Sequence, residues 1–219
     1  MKLYGLHLSP YFERAYLALV IKGATDKVEL PSMPGPFGSN ELKAASPMGK
    51  IPYLLLDDGT CLPEGQMIAE YFDRVFSGPD LEPSDALSAV QARLVARIVD
   101  QYIAPHSASM SRHMFGRFAP DETAIELALS SGLPPAFDFL EHTLTGGKFA
   151  VGDQLSFGDI ALIPHMYFFE NFLSQYKVSP CEGRVKFTQW WQANKKTQLV
   201  TECHGRIHSS LDAIMSSMK

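Results

Sequence analysis

The chain has 219 residues, 46% hydrophobic and 20% charged, with a formal net charge of −5. That balance excludes a disordered chain, and the length allows one large or two small domains with no need of disulfide staples. A net acidic chain with no Lys/Arg run lacks the footprint of a nucleic-acid binder, and no window approaches the roughly 18 apolar residues of a membrane helix.

Residues 2–6 read as a short apolar strand reached straight from Met1, so no secretory leader is expected. The cysteines, Cys61, Cys181 and Cys203, are odd in number and far apart, which fits reduced thiols in a cytoplasmic protein. Ser9-Pro10 starts a helix: the hydroxyl caps free N–H groups, and proline loses nothing at the first helical position. That helix runs over residues 10–22 and stops at Gly23. Residues 27–30 read as a second strand, residues 31–40 as a loop rich in Pro and Gly, and residues 41–45 as a helical turn. Residues 51–56 and 60–62 read as strands joined at Asp57-Asp58-Gly59, and residues 64–76 as a helix. The Gly/Pro/acid stretch over residues 78–84 reads as a linker.

Beyond the linker the apolar period turns helical, with Leu87, Val90, Leu94, Val95, Ile98 and Tyr102 on one stripe. Further helices are expected over residues 121–144, with an interruption at Leu133-Pro134-Pro135, and over 157–173, 186–199 and 206–216. The expected organisation is therefore an α/β domain over residues 1–77 and an all-helical domain over 85–219.

Three short segments could carry chemistry. Ser9 reads locally as a helix N-cap, but a helix N-terminus also offers unpaired N–H groups, a partial positive charge and a hydroxyl that can donate to a thiolate. Pro52 stands at the mouth of an apolar strand. Local sequence favours a trans bond there; a cis Ile51–Pro52 bond would leave the Ile51 backbone facing a ligand. Gly65 precedes a helix and leaves its amides open to an anion, although capping beside a surface Glu64 explains the same residues.

In this order and spacing the segments resemble the glutathione S-transferase superfamily over nearly the whole chain. Ser9-Pro10-Tyr11-Phe12-Glu13-Arg14 is similar to its S/C-P-[FY]-x-x-R active-site segment, and Pro47-Met48-Gly49-Lys50-Ile51-Pro52 to its P-x-G-K-[VI]-P segment with a cis proline. Glu64-Gly65 falls where the family usually has Glu-Ser. Ser156-Phe157-Gly158-Asp159 is similar to its S/T-x-x-D capping box, in which Asp159 is a folding determinant. The resemblance implies a thioredoxin-like domain that binds glutathione and a helical domain that supplies the co-substrate pocket.

Residue by residue, it implies that Ser9 donates to the glutathione sulfur and that Ile51, beside Pro52, pairs its backbone with the cysteinyl unit. Lys50 would reach a carboxylate, while Glu64 and the Gly65 amide would hold the γ-glutamyl end. Tyr4 and Tyr11 are fallback hydroxyls. Tyr11, His106 and Met110, with His113, Met114 and Phe115, would wall an apolar co-substrate pocket. Two departures matter. Gly65 lacks the family's hydroxyl donor, worth roughly 1.5–3 kcal/mol toward a charged group, so affinity is expected to fall by about tenfold or more. Ser in place of Cys at position 9 rules out a mixed disulfide there and favours conjugation, displacement or isomerisation.

The expected function is therefore glutathione transfer to a small apolar or aromatic electrophile, in a cytoplasmic homodimer that uses no metal. The alternatives are a glutathione-dependent isomerase, because Asp159-Ile160-Ala161-Leu162-Ile163-Pro164 resembles the maleylacetoacetate-isomerase branch, and a binding or scaffold protein of the same fold. Cys203, His204 and His208 lack a fourth partner for a metal. Gly146-Gly147-Lys148 lacks the rest of a phosphate loop and reads as a turn. Trp190-Trp191 reads as core, and Pro164 is expected to kink or loosen its helix.

Overall fold

A computed structural model describes residues 1–111 and 119–217. The backbone divides into two compact units, Met1–Leu81 with Gly205–Lys219, and Glu82–His204. From residue 205 to residue 217 the chain packs with the first unit.

In the first unit, β1 (Lys2–Tyr4), β2 (Tyr53–Leu55) and β3 (Cys61–Pro63) form one antiparallel sheet in that order. The helices α1 (Pro10–Ile21) and α3 (Gly65–Val75) pack on each other, with Ala15, Leu19, Ile68 and Phe72 fully buried, and the short α2 (Asn40–Ala45) lies between them in sequence. Ser9 and Ser39 cap α1 and α2 with their side chains.

The strand expected over residues 27–30 is not one. A short 3₁₀ turn covers Thr25–Lys27, and the rest makes a single parallel bridge, Lys2 to Glu29. Val28 is the one buried residue of the four, too little inward-facing surface to hold a ladder at the sheet edge. At the other end of α1, Lys22 is buried and pairs with Asp73 at 2.7 Å. The same Asp73 oxygen accepts from the Leu81 amide at 2.9 Å, which pins the linker to α3.

The second unit is helical: α4 (Ala86–Ile98), α5 (Ala104–Ser111), α6 (Glu122–Leu127), α7 (Leu133–Thr143), α8 (Phe157–Asn171), α9 (Val185–Asn194) and the start of α10 (Gln198–Ser217). Wide π turns over Val99–Ile103 and Ala128–Gly132 join α4 to α5 and α6 to α7. The interruption expected at Leu133-Pro134-Pro135 is therefore the π turn just before it, and the prolines open α7, where few N–H groups need partners. Residues 157–167 are buried on every side, which makes α8 the central helix of this unit. It runs through Pro164 without a break, because packing all round holds a turn that lacks one hydrogen bond.

Candidate functional site

The sheet register gathers the three segments. Tyr4 pairs with Tyr53, and Tyr53 with Pro63. The end of β1, the start of β2 and the end of β3 therefore lie side by side. From that one edge the chain runs out to Ser9, arrives from Ile51-Pro52, and continues into Glu64-Gly65. Stacked Tyr4 and Tyr53 rings, 4.7 Å between centroids, brace the edge, and burial pushes the Tyr53 hydroxyl up to about 12. The Tyr4 hydroxyl thus belongs to a ring already committed to packing.

A turn closed by Ser9 N–H to Leu6 C=O, 2.8 Å, delivers Ser9 to the N-terminus of α1. Its Oγ accepts from Phe12 N–H at 3.4 Å. Among the described residues the Ser9 O–H donates to none, so the proton stays available above the positive end of the helix.

The Ile51–Pro52 bond is cis. Before it, Gly49 N–H donates to Ser46 C=O at 2.8 Å in a turn that needs φ +61° at Gly49, and Ser46 Oγ donates to Lys50 C=O at 2.9 Å. No described residue hydrogen-bonds the Ile51 amide or carbonyl. Lys50 is exposed.

Glu64 takes φ +74°, a left-handed value unusual for a non-glycine residue, and its exposed side chain makes no cap bond to α3. Gly65 follows, buried. A Cβ on it would stand 2.2 Å from the Tyr11 carbonyl oxygen. The starts of α1 and α3 approach too closely for any side chain, so the serine usual at this position does not fit. Tyr11 is half-buried beside that contact, with the Arg14 guanidinium 5.7 Å from its ring centre.

Next to Ser9 lies a charged cluster that sequence reasoning missed. Glu13 is fully buried; His7 Nδ1 is hydrogen-bonded to its Oε1, and Arg206 donates Nε to Oε1 at 3.1 Å and Nη2 to Oε2 at 2.8 Å. Burial alone would raise the Glu13 carboxyl, but the His7 and Arg206 hydrogen bonds outweigh it and hold it below the usual carboxylate range. The one sequence signal for this cluster is the four-residue spacing of Arg206 and Ser210, and it carries no hint of a partner near the N-terminus.

No cysteine competes for the chemistry. Cys61 donates Sγ–H to Ala45 C=O at 3.6 Å, Cys203 is buried, and burial pushes the Cys61 and Cys181 thiols up, away from thiolate.

In the second unit His106 is half-buried, its ring pressed on Gly132, where a Cβ would lie 2.6 Å away. Met110 is fully buried in that unit's core. His113, Met114 and Phe115 lie outside the described residues. Asp159 is fully buried and accepts from Ala150 N–H and Trp190 Nε1–H at 2.8 Å each, and from Ser156 N–H and Ser156 O–H at 2.9 Å each. Burial pushes its carboxyl up, and these four bonds pull against that shift. The set makes Asp159 the hub of the capping box and leaves it no free lone pair for catalysis. His204 Nε2 contacts the Ile163 carbonyl at 2.9 Å, and the exposed His208 faces Asp212 at 3.5 Å.

Residues 3–80 match the model of the glutathione S-transferase N-terminal domain, and residues 103–217 that of the C-terminal domain. The chain belongs to the glutathione S-transferase family. A probable glutathione S-transferase of Solanum tuberosum is 31% identical over 160 residues, covering 73% of this chain and 69% of the relative. The maleylacetoacetate isomerase of Pseudomonas aeruginosa is 27% identical over 180 residues, covering 78% and 82%. The crystal structure of glutathione transferase F7 from Populus trichocarpa superposes with a TM-score of 0.76 at 23% identity, over 94% of this chain and 98% of that one.

Proposed function

We propose that this protein is a glutathione transferase in which Ser9 holds the glutathione sulfur as thiolate for attack on a small apolar or aromatic electrophile. The observation that carries the reading is the single sheet edge from which Ser9, cis Ile51–Pro52 and Glu64-Gly65 emerge together. In this reading the Ser9 O–H and the positive end of α1 stabilise the charged sulfur, and the rate comes from that stabilisation and from positioning rather than from a strong base. Ile51 pairs its free backbone groups with the cysteinyl unit, Lys50 meets a carboxylate, and Glu64 with the Gly65 N–H holds the γ-glutamyl end. Tyr11, His106 and Met110 are the candidate co-substrate residues in this reading. The protein works as a cytoplasmic homodimer and needs no metal. Among the described residues no helix is long and apolar enough to cross a membrane.

Capture on immobilised glutathione, with elution by millimolar free glutathione, tests the binding. Conjugation of an activated aryl halide by the wild type and by Ser9→Ala tests the chemistry. No retention would end both enzyme readings and leave a scaffold protein of this fold. A second reading, glutathione-dependent isomerisation, draws on the relative named maleylacetoacetate isomerase. Turnover of maleylacetone in the absence of conjugation would favour it.

A further inference from the structure

A hydroxyl stabilises a thiolate only if it is held in place, because hydrogen-bond strength falls steeply with distance and angle. Ser9 Oγ has one cap bond, and at 3.4 Å it fixes the oxygen weakly. The chain just before Ser9 has two further anchors, both from the far end of the sequence. Leu8 N–H donates to Ser210 Oγ at 3.2 Å. His7 Nδ1 is hydrogen-bonded to Glu13, and Arg206 grips the same carboxylate with two prongs.

Arg206 and Ser210, four residues apart on α10, share one face of that helix. The surroundings fix the grip further. The Arg206 guanidinium lies over the Tyr16 ring, 4.9 Å from its centre, and the His7 ring meets Phe12 and Tyr16 edge-on at 5.0 and 4.9 Å. His7 and Leu8 are the two residues directly before Ser9. Tethering the His7 side chain and the Leu8 amide leaves the turn over residues 6–9 little freedom.

We propose that Arg206, Glu13, His7 and Ser210 form a positioning network through which the C-terminal helix presents the Ser9 hydroxyl to the sulfur. The proposal rests on Ser9 acting on glutathione. A purely structural ion pair would change how much protein folds but not what each folded molecule does.

Ser210→Ala removes only the acceptor of the Leu8 amide, Arg206→Gln removes the two-pronged grip, and Arg206→Lys keeps the charge with one prong. The expected result is a fall in kcat of about threefold or more in Ser210→Ala and about tenfold in Arg206→Gln. The KM for glutathione should change by less than about twofold, since the groups that hold its ends are untouched, and Arg206→Lys should recover part of the loss. Hydrogen exchange in the peptide covering residues 5–12 should quicken in Ser210→Ala and Arg206→Gln. Should Arg206→Gln fail to fold, Ser210→Ala carries both readouts. Wild-type exchange in the folded variants, or a wild-type kcat per folded molecule, overturns the proposal. If the unaltered protein binds no glutathione, the transferase reading falls, while the exchange measurement still decides whether α10 tethers the turn.

Discussion

Ser9 and Gly65 show how the same local chemistry can be readable at one position and hidden at another. Ser9-Pro10 is visible in sequence as a helix start, and the structure places its hydroxyl with a proton to give. Loss of one hydrogen bond to a charged group costs about 1.5–3 kcal/mol, so Ser9→Ala should lower the conjugation rate by about 10- to 100-fold, while the lost α1 cap should cost only about 0.5–2 kcal/mol of stability. Steady-state kinetics beside a thermal melt check both halves. Gly65 reads in sequence only as a missing hydroxyl. Its reason for being glycine, the Tyr11 carbonyl 2.2 Å from any Cβ, depends on how α1 meets α3 and is invisible to local pattern. Gly65→Ser should therefore destabilise by about 1–3 kcal/mol and fail to improve glutathione affinity, with Gly65→Ala matching the stability loss. Denaturant unfolding and calorimetric binding measure the two.

Elements held by local signals are legible in sequence, and elements held by distant partners are not. The helix α1, the turn before β3 and the Ser156–Asp159 box carry their own punctuation, and all three stand where the sequence places them. The strand expected over residues 27–30 needed an inward-facing ladder that its exposed residues do not supply. The helix α8 continues through Pro164, which is buried among its neighbours. Within the second unit the Asp159 hub joins the start of α8 to Ala150 and to Trp190 on α9. Asp159→Ala would leave four donors without an acceptor, two of them backbone amides, and should cost about 3–5 kcal/mol. Asp159→Asn, which keeps the shape but turns two donors toward donors, should cost about half as much. Chemical denaturation of the two variants tests the order.

At the scale of the chain, the last helix is held by partners that its local sequence does not announce. Residues 206–216 read correctly as helical, yet nothing local says that Arg206 reaches Glu13 and joins the first unit. This placement has a pH consequence. The Glu13 carboxyl lies below its ordinary value in the folded protein, so its contribution to stability is present at pH above the ordinary glutamate range and is lost as pH falls through the folded value. Glu13→Gln should lower stability at neutral pH and flatten the acid limb of the stability curve, as read from denaturant midpoints across pH. The net charge of −5 says little about glutathione, since the anion would meet local amides and Lys50 rather than the mean field.

The most direct test of Ser9 as the group that stabilises the sulfur is the titration of glutathione bound to the protein, followed by the ultraviolet absorbance of its thiolate. The bound thiol should titrate about one to two units below free glutathione, and Ser9→Ala should return most of that shift while glutathione still binds. A bound thiol that titrates like free glutathione, or one lowered equally with and without the Ser9 hydroxyl, would contradict it.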